Sequence, residues 1–280
     1  MNAVHYFNGE WVTEEKLLIP VKDLSVVRGF GVFDFMRTYQ GNKPFRMEDH
    51  IERFYRSAAY LELDVPVSQE ELRSIVEDGI ARNGFPETGV RFTLTGGVAS
   101  DAYMIAPGKP SLIVTFGPIN SPDPKLYQEG GKVITTPHIR HLPHAKSLNY
   151  MIAVLAHREV KRQGAVEAVY IDDKTSQIYE GTIANMFAVK DGTVITPKDD
   201  VLIGITRNVV LELCDALDIP HREEPLFAND LATYQEMFIT GTTKEVMPII
   251  QFDETTIGDG KVGPITRQLV DAFESLVGKK

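Results

Sequence analysis

The chain has 280 residues, 43% of them apolar and 24% charged, values ordinary for a soluble protein large enough to bury two cores. A formal net charge of −10 argues against nucleic acid or an anionic membrane as a partner. No apolar run approaches bilayer-spanning length, and the start MNAVHYFNGEW lacks a basic stretch followed by an apolar one, so the expected location is the cytoplasm. In chain order, residues 4–8 and 10–12 flank Gly9 as a small hairpin. Residues 47–61 place Ile51, Phe54, Tyr55, Ala58 and Leu61 at helical spacing. Ser68 and Glu71 form a capping box for a second helix, which Asn83-Gly84 ends. Residues 90–95 and 112–116 are β-branched or aromatic runs between turns, hence strands.

The segment GPINSPDPK, residues 117–125, carries three prolines and little that packs, which marks a linker. The expected division is a small domain at 1–118, a linker at 119–125 and a larger domain at 126–280. In the latter, strands at 133–136 and 168–171 bracket a helix at about 147–163. Residues 185–189 and 194–196 around Asp191-Gly192 read as a hairpin. Helices at 206–217 and 265–277, with a strand at 236–240 between them, complete two α+β domains, and a cleft between such domains suits a small molecule. Cys214, the only cysteine, falls in a periodic apolar run and reads as a buried, inert thiol.

Four local features carry possible chemistry. In HIRHLPHAKSLNY, residues 138–150, His138, His141 and His144 invite a metal, but Pro143 interrupts them and no familiar ligand spacing results, so no metal is expected. Lys146 in the same segment precedes an apolar helical face, where desolvation frees an amine to form a Schiff base; a lysine so placed is otherwise an exposed amine. In YEGTIANMF, residues 179–187, Glu180 stands before a Gly-Thr turn, either solvated or as a carboxylate able to hold a proton on a pyridine nitrogen. LIGITRN, residues 202–208, with Gly204 and Thr206 opening a helix, and FITGTTKE, residues 238–245, with Gly241, Thr242 and Thr243, are two candidate phosphate cradles. Arg53, Arg28 and Arg91 are candidate anion clamps, with solvated arginine as the bland alternative.

The motifs FNGEW, SVVRGFGVFDFMRTYQG, HIERF, AKSLNY, YEGTIANMF, LIGITRN and ITGTTKE, in that order and spacing, resemble the class IV aminotransferases, the fold-type IV enzymes of pyridoxal phosphate (PLP). The resemblance implies two α+β domains with the cofactor in the cleft between them, and a homodimer whose partner helps shape the substrate pocket. Lys146 then looks like the residue that holds PLP and shuttles the α-proton, and Glu180 like the partner of the pyridine nitrogen. Arg53, Ile205, Thr206 and Thr242 match the phosphate site, and Phe33, Tyr150, Gly181 and Thr243 match positions lining the cofactor and substrate pocket.

Substrate choice falls to Arg28 and Arg91. The family's D-amino-acid enzymes carry an Arg-x-His pair where this chain has TGGVASDAY, and its branched-chain enzymes carry a tyrosine where this chain has Arg28. A guanidinium facing an aliphatic side chain is costly without a partner. That favours a D-amino acid such as D-alanine or D-glutamate as donor, its carboxylate on Arg28 and Arg91, with 2-oxoglutarate or pyruvate as acceptor. The alternative is an L-branched-chain aminotransferase, with Arg28 and Arg91 on the distal carboxylate of L-glutamate or 2-oxoglutarate and the α-carboxylate on the Thr242-Thr243 amides. An (R)-amine transaminase and an aminodeoxychorismate lyase are further alternatives sharing the same lysine.

Overall fold

The computed structural model describes residues 3–279. It separates into two compact units, one comprising residues through Ile119 together with His144–Asn149, the other Asn120–Pro143 together with Tyr150 onward. Among the described residues, no helix is long and apolar enough to cross a membrane.

In the first unit, β1 (Val4–Phe7), β2 (Glu10–Thr13), α1 (Leu24–Arg28), β3 (Gly31–Tyr39), β4 (Lys43–Pro44), α2 (Met47–Tyr60), α3 (Gln69–Asn83), β5 (Thr88–Thr95) and β6 (Leu112–Pro118) follow one another. The strands form one antiparallel sheet in the order β2-β1-β6-β5-β3-β4. Ile51, Phe54 and Ala58 of α2 and Leu72 and Val76 of α3 are buried against Met36, Phe92 and Val114 of the sheet. The expected capping box opens α3: Ser68 Oγ accepts the Glu71 amide at 3.2 Å, and the Ser68 amide donates to Glu71 Oε2 at 2.7 Å. Gly84, at φ 61°, ends that helix in the left-handed conformation that glycine adopts without penalty.

The second unit contains α4 (Lys125–Glu129), β7 (Gly131–Pro137), α5 (Met151–Gln163), β8 (Glu167–Ile171), β9 (Gln177–Gly181), β10 (Asn185–Lys190), β11 (Thr193–Thr196), α6 (Ile205–Ala216), β12 (His221–Glu223), β13 (Leu226–Phe227), β14 (Glu236–Gly241), β15 (Glu245–Phe252), β16 (Thr255–Thr256) and α7 (Pro264–Leu276). Its mixed sheet runs β12-β11-β10-β14-β15-β7-β8-β9-β13, and β10 also pairs with β9. That extra pairing closes β10, β14, β15, β7, β8 and β9 into a barrel, through Asn185 opposite Glu180. Asp191 and Gly192, both at positive φ, make the two-residue turn of the β10–β11 hairpin. Cys214 is buried in α6, and burial pushes its thiol up to about 12, so it holds no thiolate at neutral pH.

Two features differ from the sequence reading. The helix expected from about residue 147 begins at Met151, and His144–Asn149 belongs to the first unit. One cause explains both. The Phe33 amide donates to the Lys146 carbonyl at 2.9 Å, the Leu148 amide donates to the Gly31 carbonyl at 2.9 Å, and Val32 bridges Ser147. These backbone groups extend the ladder beside β3, and groups so engaged cannot also make the i, i+4 bonds of a helix.

Candidate active site

In the first unit the site is built on α2, β3, β5 and the Lys146 segment. Besides the bonds to β3, the Lys146 amide donates to Ser57 Oγ at 3.1 Å, so the backbone is held at three consecutive residues. The Lys146 side chain runs out half-buried, its Nζ 4.7 Å from the centroid of the Phe33 ring. The same ring carries the Arg91 guanidinium at 3.9 Å, a distance at which the quadrupole of the ring attracts the cation. Arg53 and Ser57 lie one turn apart on α2, and Arg53 is buried. Its Nε and Nη2 donate to the two oxygens of Asp34 at 2.7 and 2.8 Å, while Nη1 makes no hydrogen bond to the described residues. Burial alone would raise the Asp34 carboxyl; the Arg53 charge, and hydrogen bonds from Arg53 and His50, outweigh it and hold the group well below the ordinary carboxylate range.

Arg28 stands apart from these groups. It is exposed at the end of α1, donating to the Val27 carbonyl at 2.9 Å and the Tyr103 carbonyl at 3.1 Å. Both substrate readings gave it a carboxylate to hold; in this unit two of its nitrogens each donate to a backbone carbonyl.

In the second unit Glu180 lies at the closure of the barrel, 4% exposed. Its Oε1 accepts from Arg140 Nη1 at 3.0 Å, and its Oε2 accepts from the Leu202 amide at 3.1 Å and from Asn185 Nδ2 at 3.5 Å. Asn185 Nδ2 also donates to the Leu202 carbonyl at 2.7 Å, tying the loop before α6 to the barrel. A Cβ at Gly204 would lie 2.0 Å from Asn185 Oδ1, so only glycine lets that loop approach. Ile205 and Thr206 then open α6, both buried, and no side chain caps the helix start. First-turn amides with no internal acceptor suit an anion. Gly181 is required at its position because a Cβ there would meet the Glu167 side chain at 2.9 Å. Thr242 and Thr243 sit half-buried in the turn after β14, which the Lys244 amide closes onto the Gly241 carbonyl at 3.1 Å. Tyr150 is half-buried just before α5. Of the three histidines, His138 packs edge-on against Tyr170 at 4.8 Å, with His141 at 6.4 Å from it, and His144 meets Tyr60 in the first unit.

Arg140 and Asp34 were missed in the sequence. Arg140 stands among three histidines that draw the eye, 40 residues from the carboxylate it serves. Asp34 had a signal: it is the one carboxylate in GVFDFMRTY, a nearly continuous buried strand where an unpaired charge is not tolerated.

Comparison with known proteins decides the family. The model of the family described as amino-transferase class IV matches residues 31–252. The chain belongs to the class IV aminotransferases. A Methanocaldococcus jannaschii protein provisionally named a branched-chain-amino-acid aminotransferase is 36% identical to this enzyme, over 97% of this chain and 95% of its own. A D-alanine aminotransferase of Staphylococcus epidermidis is 35% identical over 97% of each chain. A T.th. branched-chain amino acid aminotransferase, solved with pyridoxamine 5'-phosphate and with N-(5'-phosphopyridoxyl)-L-glutamate, superposes with a TM-score of 0.91 at 27% identity, covering 100% of this chain and 96% of that one. This class IV aminotransferase is a PLP-dependent enzyme that moves an amino group between an amino acid and a keto acid.

Proposed function

We propose that this enzyme is an L-branched-chain amino-acid aminotransferase with 2-oxoglutarate as acceptor, and that Lys146 is its catalytic amine. The lysine assignment is carried by one observation: the Lys146 backbone is fixed by three neighbouring contacts, while its Nζ is held 4.7 Å over the face of the Phe33 ring.

The residues fit the cofactor. The unused Nη1 of Arg53, the uncapped start of α6 at Ile205 and Thr206, and the Thr242 turn are donors of the kind a phosphate takes up, and the buried Glu180 is an acceptor for a ring N–H. When bound, PLP supplies an aldehyde that condenses with amines and a ring that delocalises carbanion charge. With PLP bound, Lys146 would hold it through Nζ, and its free amine would accept the α-proton of the substrate and later return a proton, as a general base then acid. Glu180, hydrogen-bonded to Arg140, would accept the N–H of a protonated ring nitrogen.

Arg91 supports the L-branched-chain reading. A guanidinium stacked on the Phe33 ring keeps a favourable contact when an aliphatic side chain lies opposite, so the objection to a branched-chain donor loses its force. In this reading Arg91 takes the distal carboxylate of glutamate, and the Thr242-Thr243 amides take the α-carboxylate. The D-amino-acid reading leaned on Arg28, two of whose nitrogens donate to Val27 and Tyr103. The structural relatives named as branched-chain enzymes point the same way, whereas the D-alanine relative keeps the D reading as the outcome that would displace this one. Mixing the PLP form with single L- and D-amino acids and following conversion to the pyridoxamine form decides between them. L-leucine, L-valine and L-glutamate should convert about a hundredfold faster than D-alanine or D-glutamate; faster conversion with D-alanine sinks the assignment.

The enzyme is also proposed to be a homodimer. Met151, Val154 and Leu155, at i, i+3 and i+4 on α5, are 67%, 59% and 51% exposed, an apolar face that a second copy would cover. Sedimentation should return twice the chain mass, and a monomer at micromolar concentration would rule the dimer out.

A further inference from the structure

Asp34 lies in the middle of β3 and has no exposed surface. Its carboxylate accepts four hydrogen bonds within the first unit. Arg53 Nε meets Oδ2 at 2.7 Å, and Arg53 Nη2 meets Oδ1 at 2.8 Å. His50 Nδ1 and the Phe35 amide reach Oδ1 at 2.7 and 2.8 Å. His50 and Arg53 are three residues apart on α2, so one helix face presents both donors to one strand residue.

The guanidinium is thus gripped along its Nε–Nη2 edge, which fixes its plane. The Nη1 end makes no hydrogen bond to the described residues, although the Arg53 side chain is only 5% exposed. Unlike the buried, unpartnered Nε atoms of Arg37 and Arg207, this end still touches solvent, so an incoming acceptor can reach it. A phosphate oxygen is the acceptor that a planar guanidinium matches best.

Charge makes the role of Asp34 unexpected. Burial lowers the His50 pKa, which favours a neutral imidazole donating from Nδ1. The cluster then holds one negative and one positive charge, so Asp34 cancels most of the long-range pull of Arg53 on a dianion. A carboxylate so close to an anion site would weaken binding if net charge were what mattered. Its benefit must be orientation: a long side chain with four torsions is held in one geometry before the ligand arrives.

We infer that Asp34 is a positioning residue for the cofactor: it locks the Arg53 guanidinium so that the Nη1 end takes the phosphate of PLP, without touching the cofactor itself. This rests on the assignment of Arg53 to the phosphate.

The test separates orientation from charge and from simple stability. Full-length chain stripped of cofactor is titrated with PLP and with pyridoxal, which lacks the phosphate, and the ratio of the two affinities is the readout. Arg53→Gln should reduce the preference for PLP by about a hundredfold. Asp34→Asn should reduce it by about tenfold, with pyridoxal affinity unchanged, although it makes the cluster one unit more positive. The double variant should lose no more than Arg53→Gln alone, because both changes remove one device. Asp34→Glu, which preserves the charge pair and is the variant to use if Asp34→Asn does not fold, should also lose part of the preference, since it displaces the carboxylate by a methylene. A preference unchanged or strengthened in the Asp34 variants, with Arg53→Gln still impaired, overturns the inference and leaves the phosphate assignment standing. Equal losses for PLP and pyridoxal also overturn it, showing a structural role only. An unaltered ratio in Arg53→Gln removes the phosphate assignment, and the inference falls with it.

Discussion

Lys146→Ala is expected to fold normally and to lose transamination by about 10⁴-fold or more, the combined effect of removing a covalent anchor and a general base. Normal folding is expected because the contacts that hold this segment to the first unit are made by its backbone: the Lys146 amide to Ser57, the Lys146 carbonyl to the Phe33 amide, and the Leu148 amide to Gly31. Truncation leaves those bonds in place and removes a half-buried chain whose nitrogen rests 4.7 Å over the Phe33 ring. The variant should therefore unfold close to the temperature of the parent, yet lose the visible absorbance of the covalently bound cofactor. An added small primary amine should restore part of the rate, as it can replace the missing base. Single-turnover kinetics check this, and a variant retaining a substantial share of the parental rate without added amine would refute the role given to Lys146.

Glu180→Gln is expected to lower kcat by about 10²–10³, the scale seen when one preorganised charge at a reacting centre is removed. Stability should fall too. The substitution leaves Arg140, whose side chain is 14% exposed, without its carboxylate, and breaking a buried pair in this way costs about 3–5 kcal/mol. One face of the new amide would also confront a donor, either the Arg140 guanidinium or the Leu202 amide, both of which now give to the carboxylate. Activity and stability can be told apart by Arg140→Met, which disturbs the same pair while keeping the carboxylate. Comparable unfolding temperatures with a much smaller loss of kcat in Arg140→Met would locate the catalytic effect in the Glu180 charge. Equal losses of kcat in both would assign it to disrupted packing at the barrel closure.

The two substitutions differ in how readable their positions were. Lys146 and Glu180 sit in motifs whose order along the chain resembles a known family, and that resemblance marked them without any knowledge of their neighbours. The environments that give them their chemistry were not readable. Ser57 is 89 residues from Lys146, and Arg140 is 40 residues from Glu180. Such pairs leave no periodicity or cap in the sequence, since no local backbone geometry links them. The early start expected for α5 failed for the same reason: helical spacing was present, but hydrogen bonds to the distant β3 claimed the backbone first. Arg28 and Arg91 were equal candidates as letters, and only burial, ring stacking and hydrogen bonds to backbone tell them apart.

By itself the sequence determined what is encoded within a few residues or in motif order: the capping box at Ser68, the hairpin at Asp191-Gly192, the two-domain α and β content, the aminotransferase family and its PLP cofactor. Caps and turns are legible because their energies depend on φ, ψ and side chains a few positions away. Only the tertiary structure decided that His144–Asn149 joins the first unit, that β9 and β10 close the barrel at Glu180, and that Asp34 holds Arg53 by one edge. Each of those outcomes is a contest among distant groups for the same hydrogen bonds and the same buried space, and the winner is fixed only when the chain is packed.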